Sequence, residues 1–183
     1  MRATLLDEAP LKRMAEVIAL LIRRGPLDDA LVIHDTFVLE QTCMAPPDRV
    51  FAAFANSERK RAWFAESPSH EVESFEMEFR VGGLETTRYR FTAPGPFTGV
   101  VLTSEATYLD IQPDRRIVSA STLALSGQRI SAALVTISLA PFEAGTRLTC
   151  THQGAFFEGA DGPEMRKAGW RQRLDRLNRT LAL

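Results

Sequence analysis

A long amphipathic helix arriving after a run of strands leaves few folds open to this chain. Residues 162–181 carry Trp170, Leu174, Leu177 and Leu181 at spacings of four, three and four, which sets them on one helical face. Asp161 is placed to N-cap the segment, with Glu164 three residues on as the other half of a capping box. Pro163 is tolerated in a first turn, where its missing N–H costs nothing. A helix of this size is roughly 30 Å long, enough to cross a small domain. Its apolar stripe has one natural destination after so many strands, the concave face of a curved antiparallel sheet. A helix laid there can leave a cavity beneath it, and such cavities hold small molecules.

The strands are read from alternation. Thr36–Cys43 predicts a first strand. Ala45-Pro46-Pro47-Asp48 opens a short helix with Val50, Phe51 and Phe54 on one side; Asn56-Ser57 interrupts it, and Ser57 is the expected cap of a second short helix ending near Trp63–Phe64. From Phe75 to Val81 the odd positions are apolar and the intervening ones charged, the pattern of a half-buried strand. Gly82–Gly83 turns the chain into Thr86–Thr92, and Pro94-Gly95-Pro96 turns it into Gly99–Ile111. Ile117–Leu125, Ile130–Leu139 and Thr146–Gln153 follow, separated by Gln112-Pro113-Asp114, Ser126–Gly127 and Ala144–Gly145. Sequential strands joined by tight turns predict an antiparallel meander. The fold class is therefore α+β: a curved antiparallel sheet gripping a long C-terminal helix, with two short helices after the first strand.

Ahead of this lies a further helix, Pro10–Arg24, with an apolar stripe of Leu11, Met14, Ile18 and Leu21 ended by Gly25–Pro26. It predicts an N-terminal extension over residues 1–33 before a main domain over 34–183. The extension either packs on that domain or meets a partner, a second copy in a homodimer included.

Composition removes several function classes. The formal net charge of −1 argues against a nucleic-acid protein with a broad positive field. The aliphatic run Val17–Ile22 is too short to span a bilayer, and Arg23–Arg24 stand where a secretory signal would need small residues, so no membrane insertion is expected. Cys43 and Cys150 form no CxxC pair and suit a reducing cytoplasm. The three histidines are scattered, no Gly-rich phosphate loop occurs, and no strand–turn nucleophile elbow is present; neither a metal nor a cofactor is expected.

Five local motifs, in order, carry a resemblance: Ala45-Pro-Pro-Asp-Arg-Val-Phe51 leading to Trp63–Phe64; Phe79-Arg-Val-Gly-Gly83; Tyr108-Leu-Asp-Ile-Gln-Pro-Asp-Arg-Arg-Ile117; Gly145-Thr-Arg-Leu-Thr-Cys-Thr-His152; and Gly169–Trp170 with Leu174 and Leu177. From His34 onward the chain resembles the helix-grip superfamily of START, allergen-fold and polyketide cyclase-like domains. Within it, the chain is most similar to the bacterial branch related to the C-terminal domain of the heat-shock-protein-90 ATPase activator. The resemblance implies a central hydrophobic cavity for an apolar, aromatic or lipid-like ligand. It also allows a cofactor-independent cyclase, hydratase or lyase using that cavity, or a chaperone-associated interaction module using the outer sheet face. A non-enzymatic binder is the preferred reading, and no catalytic residue is assigned.

Six residues are expected to contact the ligand: Trp63, Tyr89, Tyr108, His152, Phe156 and Trp170. The aromatic groups supply apolar wall, and the two tyrosine hydroxyls need partners that a ligand can give. His152 shares a strand face with Leu148 and Cys150; if that face is the inner one, His152 is a hydrogen-bonding group or general base of the cavity, its alternative being a structural histidine satisfied by a backbone carbonyl. Glu105, mid-strand, is read as a solvated residue, its alternative being an acid in the cleft. The basic residues of the last helix, Arg166, Lys167, Arg171, Arg173, Arg176 and Arg179, are read as a solvated outer face.

Overall fold

A computed structural model describes residues 32–95 and 97–182; the expectations for the extension, its helix Pro10–Arg24 included, lie outside these residues. The elements follow in the order β1 (Ile33–Cys43), α1 (Pro47–Ala55), α2 (Ser57–Lys60), β2 (His70–Met77), β3 (Leu84–Phe91), β4 (Val101–Gln112), β5 (Arg116–Leu125), β6 (Gln128–Phe142), β7 (Gly145–Phe156) and α3 (Gly162–Leu181). All seven strands form one antiparallel sheet in the order β1-β7-β6-β5-β4-β3-β2. Strands β2 to β7 are the expected meander; β1 then closes the sheet beside β7.

Alternation decides which face is buried. Along β7, Leu148, Cys150, His152 and Phe156 are buried. Their partners Leu139, Ile137 and Val135 on β6 are buried beside them. The apolar stripe of α3 meets this face: Trp170, Leu174, Leu177 and Leu181 are all buried, as their spacing predicts. α1 fills the remaining flank through Val50, Ala53 and Phe54, so the core is one cluster shared by sheet and helices.

Several local expectations need correction. β2 runs from His70 to Met77, not from Phe75 to Val81. A register shift between Val72 and Ser74 breaks its alternation, which hides its first half, and Val81 is exposed in the turn beyond. That turn needs its glycines: Gly82 has φ +76°, and a Cβ on Gly83 would stand 2.1 Å from the Glu78 carbonyl oxygen. The cap of α2 is Asn56, whose Oδ1 accepts from the Arg59 N–H at 2.9 Å, rather than Ser57. The capping box of α3 does not form, because the Asp161 carboxylate is taken by Arg166 through bonds of 2.8 and 2.5 Å. The N-terminal amides of α3 lose that partner to a charge-assisted pair, which is the stronger bond.

Candidate ligand cavity

Between the inner sheet face and α3 lies a cavity of about 590 Å³. Its volume comes from small side chains at the sheet centre. Ser104 and Ala106 of β4 and Ser119 and Ser121 of β5 all line it, with Ala106 paired across the strands with Ser121. Residues this small cannot reach the helix, so the space above them stays open. Gly169 of α3 also lines it, and a Cβ added there would meet nothing within 4 Å.

One wall holds a buried polar cluster that the sequence reading missed. After α2 the backbone widens into a turn closed by the Glu66 N–H donating to the Arg61 carbonyl at 3.1 Å. Lys60 lies just before this turn and is buried. Its Nζ donates to Glu85 on β3 and, at 3.1 Å, to the Tyr108 hydroxyl on β4. Tyr108 in turn donates to the same Glu85 oxygen. Lys60, Glu85 and Tyr108 are respectively 7%, 5% and 2% exposed, so each charge depends on the other. Burial first, and the Glu85 carboxylate second, push the Tyr108 phenol far above its ordinary pKa, so it stays a donor. A signal for Glu85 existed: it shares strand parity with Tyr89, already placed inward. Lys60 gave none, because it sits in the charged run Glu58-Arg59-Lys60-Arg61.

Two aromatic–imidazole stacks stand at opposite ends of the sheet, one on β1 and β7 and the other on β2 and β3. His152 stacks on Phe37 at 4.6 Å, and its Nδ1 has no hydrogen-bond partner among the described residues. Burial lowers its pKa to about 4, with Arg166 adding to the shift, so the ring is neutral at pH 7. Tyr89 stacks on His70 at 3.9 Å. His70 Nε2 lies 2.6 Å from the Ala65 carbonyl oxygen and donates to it. Burial raises the Tyr89 phenol, and the neighbouring Arg173 acts against that rise.

Five of the six expected residues, Trp63, Tyr89, Tyr108, His152 and Trp170, line the cavity together. Phe156 is buried behind them, under the Arg166 guanidinium and 6.2 Å from the His152 ring. Trp63 has a structural partner, its Nε1 donating to the Ala53 carbonyl at 2.9 Å. Glu105 faces the other way: its side chain is 58% exposed on the outer sheet face, 3.6 Å from Arg129, so it is the solvated residue expected.

The arginines of α3 are not a uniform solvated face. Arg171 and Arg179 are exposed, whereas Arg166, Arg173 and Arg176 line the cavity. Arg166 stands four residues before Trp170 and Arg173 three after it, which is the helical spacing for a shared face. The Arg173 guanidinium lies 4.2 Å from the Phe64 ring centre and 5.7 Å from that of Trp170. Arg176 Nε donates to the Trp63 carbonyl at 2.9 Å, tying α3 to the wide turn.

Thiol chemistry finds no support. Burial pushes Cys43 up to about 11 and Cys150 up to about 12, so both are protonated at neutral pH. Among the described residues no cluster of three metal-ligating side chains occurs, and no helix is long and apolar enough to cross a membrane.

Comparison with known proteins supplies the family context. The model of the family described as Activator of Hsp90 ATPase homolog 1-like protein matches residues 44–182. The fold is similar to that of an uncharacterized protein from Rhizobium leguminosarum, with 32% identity, a TM-score of 0.78 and coverage of 85% of this chain and 99% of that one. A protein from Rhizobium loti is 41% identical over 81% of this chain and 97% of its own, with a TM-score of 0.71. A third, from Chromobacterium violaceum, is 26% identical over 80% and 96% of the two chains, with a TM-score of 0.67. No curated protein matches the sequence.

Proposed function

This chain belongs to the family of Activator of Hsp90 ATPase homolog 1-like proteins, and from that premise and the geometry of the cavity we propose that it binds a small, largely apolar molecule, aromatic or acyl in character, between sheet and helix. The observation that carries this reading is the cavity itself: about 590 Å³, its wall largely apolar surface interrupted by serine, histidine and charged side chains, which is the size of a small-molecule site. Trp63, Tyr89, Tyr108 and Trp170 supply surface for the ligand body. His152 supplies a neutral imidazole with one free nitrogen. Phe156 packs behind the wall, and the His152 ring is stacked on Phe37. A binding role without turnover is favoured because the best-formed acid–base cluster is self-satisfied: Glu85 accepts from both Lys60 and Tyr108, and the Tyr108 proton is held tightly.

Native mass spectrometry of freshly purified protein tests the proposal. The expected spectrum contains an adduct that leaves on gentle activation and is displaced by an added apolar aromatic compound. A spectrum of bare chain that takes up no such compound contradicts it.

A further inference from the structure

The charge on the cavity wall is unbalanced. Among the described residues, four cationic side chains line the cavity, Lys60, Arg166, Arg173 and Arg176, against two carboxylates, Glu85 and Asp161. Both carboxylates are spoken for: Glu85 by Lys60, and Asp161 by Arg166 in a bidentate pair. Among the described residues, Arg173 and Arg176 are left without a carboxylate. Arg176 retains the Trp63 carbonyl and is only part-buried. Arg173 is part-buried, its guanidinium over the Phe64 ring with Trp170 and Tyr89 nearby, a setting that disfavours its charge. Burial lowers the Arg173 pKa, but a guanidinium still keeps its proton at neutral pH and so cannot escape that cost by neutralising. A cation stripped of water in this way favours a counter-charge, and among the described residues no carboxylate pairs directly with Arg173.

We infer that the ligand supplies it: the cavity takes an apolar monoanion, a carboxylate on an acyl or aromatic body, with its head on Arg173. The inference rests on the cavity-binding reading above and names the ligand's chemical class. The fork of guanidinium N–H groups matches a carboxylate in bidentate geometry. His70 and His152 are both held neutral by burial, with Arg173 adding to the shift in each case, so they do not compete as cations for the head group. The small residues of β4 and β5 leave room for the apolar body.

Binding of dodecanoate and of dodecanamide, equal in length but differing in head charge, tests this at neutral pH. Each is measured by displacement of the neutral probe N-phenyl-1-naphthylamine. Wild-type protein is expected to prefer the acid by about tenfold or more, the scale of a charge-assisted hydrogen bond. Arg173→Met should erase that preference while leaving the amide within about twofold, and Arg173→Lys should keep part of it. Arg171→Met, an exposed position on the same helix, should change nothing. Equal affinity of the wild type for acid and amide overturns the inference. So does a preference that survives Arg173→Met. If Arg173→Met fails to fold, the carboxyl carbon resonance of labelled dodecanoate bound to the wild type decides: a pKa below that of the free acid supports the seat, and an unchanged or raised one contradicts it. When the neutral probe binds and the acid is not favoured, this inference alone falls; when nothing binds, the cavity reading falls with it.

Discussion

Glu85 and Lys60 are each other's reason for being buried. Removing one partner strands the other charge, a change that costs about 3–5 kcal/mol in buried pairs. Glu85→Gln should therefore lower stability by that order in denaturant melts. The double variant Glu85→Gln/Lys60→Met should recover much of the loss, because no charge is then left unpaired. A double variant less stable than the single would contradict the pairing. His152 makes a separate prediction. Its folded pKa of about 4 lies below the ordinary 6.5, so the unfolded chain takes up a proton that the folded chain refuses. Stability should fall as pH drops from 6.5 towards 4 and flatten below, by at most about 3 kcal/mol from this group. Thermal melts across that range check it: His152→Leu should show a shallower fall, and an identical profile would contradict the assignment. These residues were unequally legible. His152 was readable from parity with Leu148 and Cys150. Glu85 was readable in principle by the same rule. Lys60 was not, because its burial depends on the wide turn at Arg61–Ala65, a tertiary feature with no local signature.

The long helix shows how far periodicity carries. Its four apolar positions fall on one face, and all four are buried, since a stripe of that spacing has no other way to leave water. Leu177 is fully buried, and Leu177→Ala should cost about 2–5 kcal/mol. Gly169 tests the opposite case. Glycine in a helix interior costs about 0.5–1 kcal/mol relative to alanine, and a Cβ there meets nothing. Gly169→Ala should raise the melting temperature; a fall would mean that the space over this residue is filled. Stripe position was legible, but its flanks were not. Arginine is read by default as solvated, yet Arg166, Arg173 and Arg176 flank the stripe closely enough to be drawn into the cavity wall. Strand β2 was half-hidden for a similar reason: a register shift spoils the alternation that marks a strand.

At the level of the molecule, topology follows from few constraints. Tight turns force neighbouring strands antiparallel, alternation chooses the buried face, and one amphipathic helix covers it. What alternation cannot tell is whether helix and sheet meet or leave a space. That depends on the sizes of Ser104, Ala106, Ser119 and Ser121, and small residues on a strand give no sequence signal for the cavity above them. Whether a ligand enters this space, as proposed above, is tested by titrating N-phenyl-1-naphthylamine into wild-type protein and into Ser121→Phe, whose ring would occupy the sheet-centre end of the cavity. Saturable probe binding to the wild type is expected, with loss of most of that binding in a Ser121→Phe protein that still melts cooperatively. Failure of the wild type to bind the probe, or equal binding by a folded Ser121→Phe protein, would contradict it.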